Sequence, residues 1–271
     1  MMKHETLHIF PNRPWADLIT YLHESVPGKP YPPRRAMIVC PGGGYAHLST
    51  REDEPIALTW ANAGFQTFIL HYGINENAKN FGPLVEACLA IRYVREHAEA
   101  WNIDPDRIFI TGFSAGGHLA ASAGTLWDHE AVRAAFGDVP TRMGRPDGTV
   151  LCYPVISSGE FAHRGSMYHL TRQDATDEEQ APYSLENFVD ADTAPSFLWH
   201  TANDPVVPSM NSILYAAALA KRSIPYELHI YPDGVHGLSL CDERTWDNVP
   251  ALINPVAHGW VELAVRWAKN F

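Results

Sequence analysis

The segment 112-GFSAG-116 places Ser114 between two glycines, after the β-rich run 107-RIFIT-111 and before the alanine-rich run 115–127. On a strand-to-helix turn, G-x-S-x-G is typical of a nucleophile elbow, which strains the serine backbone and projects its hydroxyl from the sheet. The pattern also fits a plain turn in which the serine caps the helix. The presence of a base and an acid therefore decides between the two interpretations.

A serine hydroxyl is a poor nucleophile until a neighbouring base takes its proton. Where such an elbow works with an acid and a histidine, the acid precedes the histidine along the chain. Asp204 follows the strand candidate 196-SFLWH-200, and His236 follows 226-YELHIY-231. Because parallel strands bring their carboxyl ends to one edge of a sheet, we predict that both residues form a catalytic triad with Ser114.

Other aspartates compete with Asp204 for the role of the acid. Asp190 and Asp192 precede their strand candidate and so fall at the opposite end of the sheet. Asp233 stands three residues before His236, and a residue on the histidine's own loop is poorly placed to accept from its Nδ1–H. We therefore predict Asp204 and keep Asp233 as the alternative.

A glycine-rich loop, 40-CPGGGYAHLS-49, directly follows the first buried strand candidate. Consecutive glycines let a backbone approach a ligand closely, and an oxyanion hole needs backbone N–H groups aimed at the developing charge. The donors predicted here are Gly43, Gly44 and Ala115, the residue after the nucleophile. On its own the loop also fits a flexible turn, but no lysine-serine pair follows, which excludes a P-loop.

Strand and helix patterns alternate along the chain, which predicts a mostly parallel, twisted sheet with helices on both faces. The strand candidates are nearly continuous in apolar residues, as strands buried on both faces should be: 36–40, 66–71, 107–111, 149–153, 196–200 and 226–231. The helical candidates cover about 54–63, 84–101, 115–127, 209–222 and 256–270. We predict a single domain over residues 1–271.

Two parts of the chain interrupt this alternation. Near the N-terminus, 4-HETLHIF-10 and 16-ADLITYLHE-24 alternate like edge strands, and the proline-rich 26-VPGKPYPPRR-35 is predicted to be a connector. Residues 155–194 are polar, acidic and weakly periodic. An insertion of this length in a compact domain is usually functional or disordered, and we interpret it as a lid or pocket wall.

Charge and composition exclude several classes of partner and site. The net charge of −11 argues against nucleic acid and anionic membranes, and no apolar window is long enough for a membrane helix. The four cysteines form no C-x-x-C pair and the N-terminus lacks a signal-peptide core, so we predict a cytoplasmic protein. The H-E-x-x-H sequence at 4–8 alternates like a strand, whereas a zinc site needs it on a helix; we expect no metal and no cofactor.

With these residues in place, the sequence resembles the α/β-hydrolases of the esterase and lipase group, and among them bacterial acetyl-xylan esterases and acetylated-sugar deacetylase-like proteins. The resemblance spans roughly residues 34–270 and implies the α/β-hydrolase fold, with Ser114 as nucleophile and Asp204 and His236 as its partners. It rests on the segments 41-PGGGY-45, 112-GFSAGGHLAAS-122, 153-YPVISSGEFAHRGS-166, 197-FLWHTANDPVVP-208 and 226-YELHIYPDGVHGLSL-240.

The resemblance implies a serine esterase that removes acetyl groups from short acetylated (xylo-)oligosaccharides. A general short-chain carboxylesterase, a feruloyl esterase and a peptidase are the alternatives on the same scaffold. The insertion is polar enough to suit a sugar alcohol, and we predict substrate contacts for His163 and Arg164, with Tyr45 on the acyl side. The expected partners are a small-molecule ester and, if an exposed sheet edge pairs, a second copy of the chain in a homodimer.

Overall fold

The computed structural model describes residues 2–24, 28 and 31–271, and its centre is one eight-stranded sheet. The strands are β1 (Met2–Leu7), β2 (Asp17–His23), β3 (Arg34–Cys40), β4 (Gln66–His71), β5 (Ile103–Phe113), β6 (Gly148–Cys152), β7 (Ser196–Thr201) and β8 (Tyr226–Tyr231). Their order across the sheet is β1-β2-β4-β3-β5-β6-β7-β8. From β4 to β8 every neighbouring pair is parallel, so the carboxyl ends of these strands share one edge.

The two N-terminal strands extend the parallel sheet on one side. β1 pairs with β2, and β2 pairs with β4, both in antiparallel register. β1 forms the outer edge as predicted, whereas β2 lies inside the sheet because it hydrogen-bonds on both sides. The predicted connector 26–35 falls partly outside the described residues, and β3 already begins within it at Arg34.

Five longer helices fall where the helical patterns predicted them. They are α1 (Glu54–Asn62), α2 (Gly82–Glu96), α3 (Ala115–Thr125), α7 (Met210–Lys221) and α8 (Trp260–Asn270). Three short helices, α4 (Glu130–Phe136), α5 (Arg164–Leu170) and α6 (Asp177–Gln180), were not predicted. They have four to seven residues, which is too few for a helical period to stand out in the sequence.

Both faces of the sheet are covered by apolar helix surfaces. Successive residues of β3 alternate between the two sides, because side chains of a strand point to opposite faces: Ile38 joins the core under α2 and α3, and Val39 joins the core under α1 and α8. This two-sided burial explains why the strands read as continuous apolar runs. Among the described residues, no helix combines the length and apolarity needed to cross a membrane.

The insertion 155–194 connects β6 to β7 and is folded onto the rest of the chain. It contains α5, α6 and two 3-10 turns, 181–183 and 185–187. Met167, Leu170 and Leu185 are buried in the same core as α2 and α3. Although the insertion is polar in overall composition, these apolar side chains attach it to the core. Its role as a lid or pocket wall stays a prediction.

Candidate active site

Ser114 occupies a tight turn between β5 and α3. Its backbone has φ 53° and ψ −116°, a left-handed conformation that costs free energy in a residue with a side chain. The flanking glycines make the turn sterically feasible. A Cβ on Gly112 would lie 1.9 Å from the carbonyl oxygen of Gly116, and a Cβ on Gly116 would lie 2.2 Å from that of Cys40. The backbone of Ser114 thus has the strained geometry that a nucleophile elbow requires.

The structure brings Ser114, His236 and Asp204 into one hydrogen-bonded line. His236 Nε2 lies 2.8 Å from Ser114 Oγ, and His236 Nδ1 lies 2.7 Å from Asp204 Oδ2. The three side chains come from the ends of β5, β7 and β8, which the parallel sheet places at a common edge. In this geometry the imidazole can take the serine proton while the carboxylate orients the ring.

Asp204 is buried and accepts several hydrogen bonds. Its Oδ1 accepts from the backbone N–H groups of Val206 at 2.8 Å and Val207 at 3.0 Å. Burial raises the pKa of this carboxyl, but hydrogen bonds from His200 and His236 outweigh that effect and hold the pKa well below its usual range. The carboxylate therefore stays ionised beside the imidazole at neutral pH.

His200 is a contributor to this site that the sequence analysis did not identify. It is fully buried in β7, with Nε2 3.4 Å from Asp204 Oδ2 and 2.9 Å from the Val207 carbonyl oxygen. A histidine inside an otherwise apolar strand was the available signal, because buried polar groups need hydrogen-bond partners.

The alternative acid, Asp233, lies near the triad but binds elsewhere. Its carboxylate accepts from the side-chain amide of Asn203, and it is Asp204 that stands at hydrogen-bond distance from His236 Nδ1. The geometry thus favours the predicted acid over its alternative.

The glycine loop and the start of α3 present backbone N–H groups beside Ser114. The loop is closed by bonds from Ala46 N and His47 N to the Gly43 carbonyl, at 3.0 and 3.2 Å. Within the described part of the chain, the N–H groups of Gly43, Gly44 and Ala115 donate to no protein acceptor. These three amides therefore remain free to donate to a substrate oxygen, and their role as an oxyanion hole stays a prediction.

Tyr45 does not reach the cavity at Ser114, although the sequence analysis placed it on the acyl side. It is 1% exposed, and its hydroxyl donates to Nδ1 of the buried His118 at 2.9 Å. His118 Nε2 donates in turn to the Tyr183 carbonyl at 2.9 Å. Tyr45 therefore fastens the glycine loop to the elbow helix α3 and, through His118, to the insertion.

This buried histidine should make the stability of the fold depend on acid pH. Burial lowers the pKa of His118, and the hydrogen bond to the Tyr183 carbonyl opposes this effect only in part, so that the pKa is about 4. Because the pKa of His118 is lower in the folded than in the unfolded chain, the free energy of unfolding is highest above the unfolded-state pKa near 6.5. It decreases as the pH falls toward 4, by up to about 3 kcal/mol.

We expect His118→Gln, which keeps a donor and an acceptor but cannot titrate, to flatten this dependence in urea unfolding between pH 7 and about pH 4. His8→Gln is the control, since the His8 side chain is 79% exposed. A profile as steep in His118→Gln as in the wild type would show that His118 is not the group responsible.

A cavity of about 320 Å³ opens at the triad. It is lined by Gly43, Gly44, His47, Ser49, Arg51, Glu52, Ser114, His163, Val206, His236 and Gly237. A larger cavity of about 570 Å³ lies beside Asp233 and Val256, but it contains no triad side chain. We therefore place the substrate in the smaller cavity, where the nucleophile is.

The two predicted contacts from the insertion have different positions. His163 lines the cavity and caps α5, its Nδ1 accepting from the Ser166 N–H at 3.3 Å. Arg164 is not among the lining residues, and its guanidinium donates to the carbonyls of Ser158 and Gly159. The structure thus brings His163 to the nucleophile and holds Arg164 against its own loop.

Comparison with known proteins identifies the family of this chain. Residues 88–247 match the prolyl oligopeptidase family, and residues 25–150 match the family designated BD-FAE. The crystal structure of an acetyl ester-xyloside bifunctional hydrolase from Caldicellulosiruptor lactoaceticus superposes with a TM-score of 0.83 at 36% identity, covering 98% of this chain and 96% of that one. The chain belongs to the α/β-hydrolase family. Both the resemblance inferred from the sequence and the predicted fold class are confirmed.

Curated relatives of this hydrolase are longer proteins. Endo-1,4-beta-xylanase B of Butyrivibrio fibrisolvens is 37% identical over 215 residues, which are 78% of this chain and 33% of the relative. Acetylxylan esterase of Xylanibacter ruminicola is 31% identical over 239 residues, which are 85% of this chain and 45% of the relative. The chain thus spans a third to somewhat under half of the length of these two relatives.

Proposed function

We propose that this α/β-hydrolase is a serine carboxylic-ester hydrolase that removes acetyl groups from short acetylated (xylo-)oligosaccharides. The observation that carries the proposal is the hydrogen-bonded line Ser114–His236–Asp204 beside three unoccupied backbone amides. A nucleophile, its base, an orienting acid and oxyanion donors are the parts that acyl transfer requires.

The steps follow from these positions. His236 Nε2 takes the proton of Ser114 Oγ as that oxygen attacks the ester carbonyl, and the oxyanion forms against the amides of Gly43, Gly44 and Ala115. Protonated His236 then gives its proton to the departing alcohol, leaving an acyl-serine. Water then loses a proton to the same imidazole and attacks the acyl-serine; as the bond between the acyl carbon and Ser114 Oγ breaks, His236 returns the proton to that oxygen and the acid leaves. Asp204 stays ionised throughout and fixes the imidazole orientation.

The shape and polarity of the cavity support a short acyl group and a polar alcohol. Its volume of about 320 Å³ is small, and Val206 is the one aliphatic side chain among its lining residues in the described chain. Burial lowers the pKa of His163, and the nearby His236 lowers it further. A neutral ring whose Nδ1 accepts from Ser166 carries its proton on Nε2, which we propose donates to a sugar hydroxyl.

Two alternatives have specific support. The match of residues 88–247 to the prolyl oligopeptidase family favours a peptidase, because the same triad cleaves amides. The small cavity is equally compatible with a general short-chain carboxylesterase that makes no use of the sugar. A feruloyl esterase, which would accept an aromatic acyl group, remains the third alternative.

A substrate panel separates these functions. We expect kcat/KM to be roughly 10-fold or more higher for p-nitrophenyl acetate than for the octanoate, because Val206 is the one aliphatic residue that a long acyl chain could contact among the described residues lining the cavity. Acetylated xylo-oligosaccharides should be deacetylated, with KM raised in His163→Ala while KM for p-nitrophenyl acetate is unchanged. Faster hydrolysis of octanoate would contradict a deacetylase, and cleavage of a peptide p-nitroanilide without ester hydrolysis would favour the peptidase.

We also propose a cytoplasmic location. Cys40, Cys88, Cys152 and Cys241 are free and buried, and chains that use unpaired cysteines as small apolar side chains suit a reducing compartment.

A further inference from the structure

A buried carboxylate beside Ser114 takes no part in the triad. Glu52 ends the 3-10 turn 50–52, is 3% exposed and lines the cavity at the nucleophile. A Cβ on Gly42 would lie 2.5 Å from Glu52 Oε2 and 3.2 Å from Ser114 Cβ, so the carboxylate and the nucleophile flank the same glycine. Since a buried carboxylate must be compensated by hydrogen bonds, its partners show what it holds in place.

The first partner of Glu52 is the glycine loop. Glu52 Oε2 accepts from the backbone N–H of Gly42 at 2.9 Å. This bond fixes the residue directly before Gly43 and uses up the first amide of the loop. The next two amides, of Gly43 and Gly44, are those left for a substrate oxygen.

The second partner leads to the loop of the catalytic histidine. Glu52 Oε1 accepts from the Tyr153 hydroxyl at 2.6 Å, and the same hydroxyl accepts from the Ser239 N–H at 2.9 Å. The ring of Tyr153 meets the His236 ring edge-on, with centroids 5.1 Å apart. One phenol therefore supports both the imidazole and the chain three residues beyond it.

The residue beside Glu52 reinforces the same connection. Arg51 Nη1 donates to the Gly237 carbonyl at 2.7 Å, and the Arg51 carbonyl accepts from Ser239 Oγ at 2.7 Å. The turn 50–52 thus contacts the glycine loop on one side and the histidine loop 236–239 on the other.

We propose that Glu52 is a positioning residue that sets the oxyanion amides and the imidazole of His236 at a fixed separation. Both groups must act on the same tetrahedral transition state, and a displacement of about 1 Å can lower the rate about 100-fold. The proposal rests on the Ser-His-Asp site of the proposed function and does not depend on its sugar substrate.

The direct test is Glu52→Gln. The amide oxygen can still accept from Gly42, but its NH₂ group then faces the Tyr153 hydroxyl, whose proton loses its acceptor. We expect kcat for p-nitrophenyl acetate to fall about 10- to 100-fold with KM within about 3-fold of wild type, because the lost alignment matters in the transition state. Labelling of Ser114 by a fluorophosphonate, which releases fluoride, should slow by a similar factor.

Tyr153→Phe tests only the contacts that connect Glu52 to the loop of the catalytic histidine. It keeps the ring against His236 and the bond between Glu52 and Gly42, and we expect kcat to fall about 10-fold. The double variant Glu52→Gln/Tyr153→Phe should have a kcat little lower than that of Glu52→Gln, since both single changes break the same hydrogen bond between Glu52 and Tyr153. Glu54→Gln, two residues along and bonded to Tyr21, is the matched control and should keep wild-type kcat.

The outcomes separate this inference from the proposed function. Wild-type kcat and labelling in folded Glu52→Gln would overturn the inference while leaving the triad intact. If Glu52→Gln does not fold, Tyr153→Phe decides, and wild-type kcat there overturns it as well. A wild-type protein that neither hydrolyses acetyl esters nor is labelled at Ser114 would overturn both the inference and the proposed function. A wild-type protein that is labelled at Ser114 but hydrolyses no ester would overturn only the proposed function. In that case the rates of labelling would still test the role of Glu52.

Discussion

Ser114→Ala is expected to lower kcat for p-nitrophenyl acetate by roughly 10⁴-fold or more, because it removes the oxygen that we propose forms the acyl-enzyme. Its hydroxyl lies 2.8 Å from His236 Nε2 at the floor of the cavity. The residual rate should come from the oxyanion amides acting on attack by water. The measurement is steady-state kinetics, with circular dichroism to confirm the fold.

Ser122→Ala is the matched control for this change. Ser122 is also buried on α3, and its hydroxyl donates to the His118 carbonyl at 2.8 Å. Its removal should leave kcat unchanged. Turnover retained in Ser114→Ala, or lost equally in Ser122→Ala, would contradict the assignment of the nucleophile.

Asp204→Asn is expected to cost about 10⁴-fold in kcat with the fold preserved. The asparagine can present its NH₂ group to His236 Nδ1, which favours the tautomer with the proton on Nε2. That tautomer has no lone pair on Nε2 to take the proton of Ser114. The change also removes the charge that stabilises the imidazolium formed during the reaction.

The control for the acid is Asp233→Asn. The Asp233 carboxylate accepts from the Asn203 side chain and does not line the cavity at Ser114, so this variant should retain activity near that of the wild type. An inactive Asp233→Asn together with an active Asp204→Asn would reverse the assignment of the acid.

The elbow and its partners were predictable because each leaves a local signal in the sequence. Ser114 is marked by glycines that no other residue can replace without a clash. Asp204 and His236 each follow an apolar strand, and the parallel sheet converts that sequence position into proximity.

The supporting contacts left no such signal. The bond from Tyr153 to Glu52 joins residues 101 positions apart, and the bond from Ser239 to Tyr153 joins residues 86 apart. Neither periodicity nor a short motif reports such a pairing, because it depends on how loops from different strands meet above the sheet.

Tyr45 shows how a correct loop can still mislead about one side chain. The glycine loop does lie at the nucleophile, but Tyr45 has φ 60°, and its ring is directed into the core toward His118 and Tyr72. Tyr45 follows three glycines, and the last two of them, Gly43 and Gly44, also have a positive φ, so the chain does not run extended into this residue. Side-chain direction in such a turn is a property of the fold rather than of the residue type.

Observation of the acyl-enzyme tests most directly whether Ser114 is the nucleophile. The wild type is mixed with p-nitrophenyl acetate, quenched in acid within the first turnover, and digested for peptide mass spectrometry. We expect one added acetyl group on the peptide that contains Ser114, with a matching burst of p-nitrophenol and neither signal in Ser114→Ala. Turnover with no adduct on Ser114, or an adduct on another residue that forms at the burst rate, would contradict this assignment.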